Sequence, residues 1–407
     1  MSKWSDDVLV KIAKTLYRMT MTSRFVIRQA HTEILHERAI DWSAPPGDNR
    51  VHLQATIDWI KRAHNVSADS GVPRAYCAGW NFHFRSHGWQ PSYPETTGYI
   101  IPTLYDAADA LNDPDLRIRA AKMADWEYEI QLASGAVMGG TVDRKPTPAV
   151  FNTGQVMLGW LRAHTETGEA RFLEAAARAG DYLVRAKNPE GFWQEGNSAF
   201  ADARFTVYNT RVGHALILLG QATGEKRYIA AGRRNMDHAL TMQADNGFFR
   251  DNCLSDPDQP LLHTICYAAE GLQGAGMALQ EPQYLDAAKR TCAALLGKID
   301  EQGRIPGRLD ANWRGTVEWD CLTGSAQLAG LLLRFAQITA DQRYIDGARR
   351  LLHFIKKTQN LDPDAPSGIR GGVKGSYPFD GGYGQYELLN WAAKFFIDAL
   401  LLDEKIG

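Results

Sequence analysis

Four glycines stand 56 residues apart: Gly135 in ASGAV, Gly191 in PEGFW, Gly247 in DNGFF and Gly303 in EQGRI. A fixed period of this length marks a chain built from repeated supersecondary units. Looser steps extend the series back to Gly71 in DSGVP and forward to Gly368 in PSGIR, which makes six units. A second series runs in phase with the first. RFLEAAARAGDYL (171–183), RYIAAGRRNMDHAL (227–240), QYLDAAKRTCAAL (283–295) and RYIDGARRLLHFI (343–355) repeat one amphipathic helix, and LRIRAAKMADWEY (116–128) is a weaker copy. Apolar residues recur there at helical spacing, with charged residues on the other face. A third series opens on Thr97, Thr153, Thr210, Thr264 and Thr323. Its helices are rich in Gly and Ala and apolar around most of their circumference, which predicts burial.

Each unit therefore reads as one buried helix, a tight turn and one half-exposed helix. The last buried helix, YELLNWAAKFFIDALLL (386–402), has no outer partner after it, whereas VHLQATIDWIKRAH (51–64) is an outer helix with no inner helix before it. Pairing the two closes a ring and hides both open ends. The expected fold is an all-α (α/α)6 toroid, a single domain over 46–407 with an N-terminal helical extension at 1–45. Closure also sets unit six beside unit one. SYPETTGY (92–99) and SYPFDGGY (376–383) then read as equivalent approaches to two neighbouring inner helices. The threonines read as helix caps, and Asn152 with Gln155 as a cap and its capping-box partner.

Links from inner to outer helix are a few residues, such as TGEAR and TADQR. Links from outer to inner helix are long, such as GFWQEGNSAFADARFTVY. Binding residues gather on long loops held by a rigid scaffold, so the functional mouth is expected at the N-termini of the inner helices. Six converging helix N-termini add a positive potential that favours an acidic ligand.

The segments at that end are dense in aromatic, amide and charged side chains. Tyr93, Trp193, Trp319, Tyr377 and Tyr383 offer flat faces that stack on sugar C–H surfaces, while Arg211 and His214 offer polar edges. Arg211 stands where related units have Gly, and a cation there suits a substrate carboxylate. His263, Tyr267 and Glu270 fall at i, i+4 and i+7 on one helix face. Glu270, in an Ala- and Gly-rich helix, is costly unless paired or used. Glu95, Asp320 and Asp380 are further acids at helix starts, where the helix dipole also favours them. The expected catalytic set is Glu270, Asp320, Asp380, His263, Tyr267 and Glu95.

The chain has 407 residues and a net charge of −2, so no charge excess points to nucleic acid. No apolar run is long enough to span a membrane. The N-terminus lacks an apolar signal core, and five scattered cysteines without CxxC spacing predict reduced thiols in the cytoplasm. Phosphate-loop, dinucleotide-binding, HExxH and GxSxG motifs are missing. The expectation is no cofactor and no metal.

The ring at 51–402 resembles the six-hairpin toroids of carbohydrate-active enzymes: glycoside hydrolases, unsaturated glucuronyl hydrolases, the toroidal domains of polysaccharide lyases, and sugar epimerases. SYPETTGY resembles the helical domain of D-glucuronyl C5-epimerases. GGYGQYELLNWAAKFFIDALL is similar to proteins encoded with bacterial exopolysaccharide machinery. The resemblance implies an oligosaccharide or polysaccharide substrate and an association with polysaccharide synthesis. Glycoside hydrolysis by two facing carboxylates is the first expectation. Uronate elimination or C5-epimerisation through Tyr or His is the second. A glycan-binding scaffold and an isoprenoid-type toroid enzyme complete the alternatives. Two carboxylates across the mouth would favour hydrolysis; a Tyr–His–Arg group without such a pair would favour proton abstraction.

Overall fold

The computed structural model describes residues 28–81, 84–194, 196 and 207–407, with the isolated positions 13 and 16. After α1 (Arg28–Arg38), outer and inner helices alternate. The outer ones are α2 (Asn49–Val66), α4 (Pro114–Glu129), α6 (Ala170–Ala186), α8 (Lys226–Met242), α10 (Pro282–Leu296) and α12 (Gln342–Thr358). The inner ones are α3 (Pro94–Leu111), α5 (Val150–Thr167), α7 (Thr210–Thr223), α9 (Leu262–Leu279), α11 (Leu322–Thr339) and α13 (Asn390–Ile406). Each inner helix packs on the next, and α13 sits between α11 and α3 with α2 against it. The ring is closed, and its core is continuous.

The inner-to-outer turns share one design. Asn112, Gly168, Gly224, Gln280 and Ala340 take the left-handed conformation. Asp113, Glu169, Glu225, Glu281 and Asp341 follow as N-caps of the outer helices. Such turns end one helix and start the next within two residues.

The 56-residue glycines close the other end. Gly135, Gly191, Gly247 and Gly303 have φ between 84° and 104°. Each lies against the backbone of the next outer helix, at Arg178, Arg234, Arg290 and Arg350. The same contact recurs at Gly371, φ 81°, which meets the Ala55 carbonyl on α2. Gln131, Gln243 and Gln359 donate side-chain amides to the carbonyls of Gly135, Gly247 and Gly371. The sixth member is thus Gly371, not Gly368, which packs on the Tyr76 ring. In the first unit the left-handed residue is Ser70, not Gly71.

Three further expectations are corrected. Tyr93 is the N-cap of α3, but Ser376–Tyr377 forms strand β4, paired antiparallel with β3 (Asp320–Cys321). The N-cap of α13 is Leu389. The two SYP phrases are therefore not structural equivalents, because the last approach segment is longer and carries its own strands. One of them, β5 (Glu387–Leu389), pairs with β1 (Ala75–Asn81), which also pairs with β2 (Ser86–Trp89). The threonines are not N-caps either, since they lie inside the first turn. Thr97 and Thr153 accept the Val72 and Val137 backbone N–H groups and donate to the Tyr93 and Ala149 carbonyls. They tie each Gly-turn to its inner helix. Asn152 and Gln155 form no capping box. Asn152 donates to the Met138 carbonyl, and Gln155 accepts from Arg211.

Of the N-terminal extension, α1 is described, and residues 1–27 apart from positions 13 and 16 lie outside the described residues. The buried Glu33 and Glu37 of α1 hold Lys374 at 2.7 and 3.0 Å, and Glu37 accepts the Phe379 N–H. This charge cluster fastens the 359–389 loop.

Gly303→Ala puts a Cβ 2.0 Å from the Arg350 carbonyl oxygen at a left-handed φ. It is expected to lower unfolding free energy by about 2–4 kcal/mol. Gly168→Ala has a similar φ but open space around it, so only about 1 kcal/mol is expected. Denaturant midpoints of the two variants check the difference.

Candidate active site

The long loops do gather at the N-termini of the inner helices, and a cavity of about 310 Å³ opens among them. Its walls come from five inner-helix starts and the loops above them. Tyr93 and Glu95 stand at the start of α3, Phe151 on α5 and Tyr208 just before α7. His263 and Tyr267 lie on α9, and Trp391 on α13; Arg74, Phe84 and Tyr383 complete the wall. Around the ring, α3 and α9 are three places apart, so Glu95 and His263 occupy diametrically opposed helices.

Burial in this aromatic shell acts on both groups. The Glu95 carboxyl is pushed up to about 7, chiefly by desolvation, with the Tyr93 hydroxyl and distant Arg211 pulling it back. Tyr93 Oη donates to Glu95 Oε2 at 2.7 Å. Desolvation pushes the His263 imidazole down to about 3, so the ring is neutral. Its Nδ1 lies 2.5 Å from Gln327 Oε1, and its ring centroid is 4.3 Å from Tyr267 and 5.6 Å from Tyr383. Arg74 pairs with the buried Glu387 and lies 4.1 Å from the Phe84 ring centroid. Its Nε has no hydrogen-bond partner among the described residues.

Tyr267 lines this cavity and, with the Phe395 ring packed against it at 6.0 Å between centroids, makes an aromatic floor. Beneath them lies the Arg211 guanidinium, 5.4 and 5.8 Å from their ring centroids. Arg211, His214 and Glu270 line a second cavity of about 900 Å³ at the opposite end of the ring. There Arg211 Nη1 donates to Glu270 Oε2 at 2.7 Å and its Nε to Gln155. Glu270, expected in the catalytic set, is thus the partner of a cation. Burial and the neighbouring Arg211 and Arg334 push His214 down to about 3. The other carboxylates of this larger cavity are also spoken for: Asp106 by Arg162 and Asp398 by Lys394. The smaller cavity is the better chemical site, because its carboxyl has no cation partner among the described residues.

The remaining expected residues lie away from both cavities. Asp320 is held by Arg304 through Nε and Nη2 at 2.9 and 2.7 Å; burial pushes it up to about 6. Tyr377 packs between Phe354 and Trp42. Trp319 covers Gly307, Gly381 and Gly382. Asp380 sits in the 359–389 loop, its carbonyl accepting from Gln385. Trp193 is fully buried and donates to the Leu183 carbonyl. Sequence reasoning missed Arg74, Phe84, Phe151, Trp391 and Gln327. Gln327 had a usable signal: a lone amide in the buried run LTGSAQLAG.

No protein-family model matches the chain, and no curated protein matches it. Solved structures do. An unsaturated glucuronyl hydrolase from Bacillus sp. GL1, responsible for glycosaminoglycan degradation, is 16% identical with a TM-score of 0.69, over 87% of this chain and 96% of its own. An unsaturated glucuronyl hydrolase specific for heparin is 15% identical with a TM-score of 0.69, over 88% and 98%. Cellobiose 2-epimerase from Bacillus thermoamylovorans B4167 is 12% identical with a TM-score of 0.67, over 86% and 97%. The chain has the (α/α)6 toroid fold. Among the described residues no helix is long and apolar enough to cross a membrane, and no group of three or more His, Cys, Asp or Glu is arranged to hold a metal ion.

Glu95 binds its proton more tightly folded than unfolded, so its burial costs stability as pH rises from about 4.5 to about 7. Glu95→Gln removes that cost. The variant is expected to be more stable than the parent at pH 8 by up to about 3 kcal/mol, with the gap closing near pH 4.5. Urea unfolding across that range checks both the size and the sign.

Proposed function

We propose that this protein is a carbohydrate-active enzyme that moves a proton at a sugar carbon. The reacting carbon stands next to a carbonyl or carboxylate, and the outcome is epimerisation or a related isomerisation. The observation that carries this reading is the placement of His263 and Glu95 on opposed helices of one 310 Å³ cavity, the imidazole pushed down to about 3 and the carboxyl up to about 7 by burial. Pairs of groups held at different pKa values in one site mark acid and base roles. His263, unprotonated at neutral pH, takes the proton from one face of the sugar. Glu95, protonated below about 7, returns one to the other face, with Tyr93 holding its carboxyl. Arg74, on the same cavity wall, is the cation available to the oxygen on which negative charge develops. The aromatic walls stack on the sugar ring.

Hydrolysis fits less well. It requires two carboxylates across the sugar, and among the described lining residues Glu95 is the single one. Glu270 lies beneath the floor with Arg211, Asp320 is with Arg304, and Asp380 is outside the lining. Glu195, in one of the long loops, lies outside the described residues. The toroid neighbours include both hydrolases and epimerases, so fold leaves the reaction class to the site. The polysaccharide-synthesis setting rests on the resemblance of the terminal segment.

The test uses reducing disaccharides and uronate-containing oligosaccharides in D2O. Mass spectrometry is expected to show one carbon-bound deuteron gained per turnover without chain cleavage. His263→Asn and Glu95→Gln are each expected to lower the rate by about 10²–10⁴. New reducing ends without carbon-bound deuterium would replace this reading with hydrolysis.

A further inference from the structure

His263 is joined to the second cavity by a chain of hydrogen bonds whose polarity is fixed at its far end. Arg211 has donors only, so the Glu270 oxygen 2.7 Å from its Nη1 accepts. The same Glu270 Oε2 lies 3.0 Å from Gln327 Nε2. A carboxylate that is already the acceptor of an arginine takes the NH2 end of the amide, and Gln327 Oε1 must then point the other way. That oxygen is 2.5 Å from His263 Nδ1. An amide oxygen has no proton to give, so Nδ1 carries the hydrogen of the neutral ring. Nε2 is left as a bare lone pair, with no hydrogen-bond partner among the described residues, on a ring that lines the mouth cavity.

We propose that Arg211, Glu270 and Gln327 are positioning residues that lock His263 in the Nδ1–H tautomer. The proposal rests on the reading of His263 as the base, and it gives a role to three polar groups joined in series between the two cavities. Neutral imidazole has two tautomers, and which nitrogen accepts a proton is set by what the other one touches. With the hydrogen on Nε2, the ring would present a donor to the sugar C–H and no base. The relay members do not line the mouth cavity, so they act through His263. Arg211 and Glu270 line the opposite cavity, which places the origin of the base's orientation on the far side of the aromatic floor.

The experiment is a long-range 15N–1H correlation spectrum of the 15N-histidine-labelled full chain, with His263 assigned by the signal lost in His263→Asn. The parent is expected to show a protonated Nδ1 and an unprotonated Nε2 at pH 7. Glu270→Gln lets the Gln327 amide reverse, and Gln327→Leu deletes it at similar volume. Both are expected to move His263 towards the Nε2–H form and to lower kcat by about 10²–10⁴, the scale of losing a fixed tautomer, with KM changed less. Thermal melts confirm that each variant folds, and either one suffices if the other does not. An Nε2–H ring in the parent, or an unchanged tautomer in a folded Glu270→Gln or Gln327→Leu, overturns the relay. The expected tautomer pattern in a protein that exchanges no sugar C–H would leave the relay standing and remove the enzymatic reading instead.

Discussion

Ring closure through α13 and α2 is the constraint on which the other features depend. A single helix pair of this kind buries one face and leaves another open, and only a neighbour on each side removes every open face. The contact at Gly371 and Ala55 repeats across the seam the contact made within the chain at Gly135, Gly191, Gly247 and Gly303, so the seam is built like any other joint. Once six units close, the angular position of every inner helix is fixed. Glu95 and His263 face each other because α3 and α9 are three places apart in a ring of six.

A closed ring has a hole, and what fills it decides what the protein can do. Leucines would fill it at least cost. Replacing a buried ion pair by apolar side chains of similar volume is often neutral or stabilising by about 1–4 kcal/mol. Here the middle is instead a floor of Tyr267 and Phe395 over Arg211 and Glu270, side chains that are 12% and 7% exposed. A ring that had only to be packed gains nothing from that pair. It gains a great deal if the pair orders a group above the floor, and the hydrogen bonds through Gln327 lead to such a group.

The fold was legible because periodicity survives in a single sequence. The glycines mark a backbone conformation, and their neighbours mark a helix face, so helix order and closure followed from spacing alone. Local phrases were less reliable. SYPETTGY and SYPFDGGY share letters, yet one starts a helix and the other forms a strand, because the last loop is lengthened by β4 and β5. At the site, Tyr93, Glu95, His263, Tyr267 and Tyr383 share a cavity. Arg211 was read as a cation for a substrate carboxylate and Glu270 as a catalytic acid, when each is the other's partner. Glu270 stands two turns further along α9 than His263 and so lies deeper; what the spacing did not show is that the Tyr267 ring lies between the two levels and that Arg211 waits below it. Arg74 was missed because its helix-free surroundings, GVPRAYCAGW, carry no period.

One physical cause sets both reacting groups. Desolvation disfavours whichever form is charged, which is the deprotonated form for a carboxyl and the protonated form for an imidazole. The shell of Tyr93, Phe151, Tyr208, Tyr267, Tyr383 and Trp391 therefore drives Glu95 up and His263 down, chiefly by desolvation, with no ion-pair partner to either among the described residues. Arg74, the cation on this wall, is largely answered by Glu387, and Arg211, below the floor, by Glu270. Arg211 already pulls the Glu95 carboxyl down from beneath the floor, and an arginine left free there would stabilise the carboxylate further. Pairing the arginines elsewhere is thus part of what keeps Glu95 able to give a proton at the pH where His263 is able to take one.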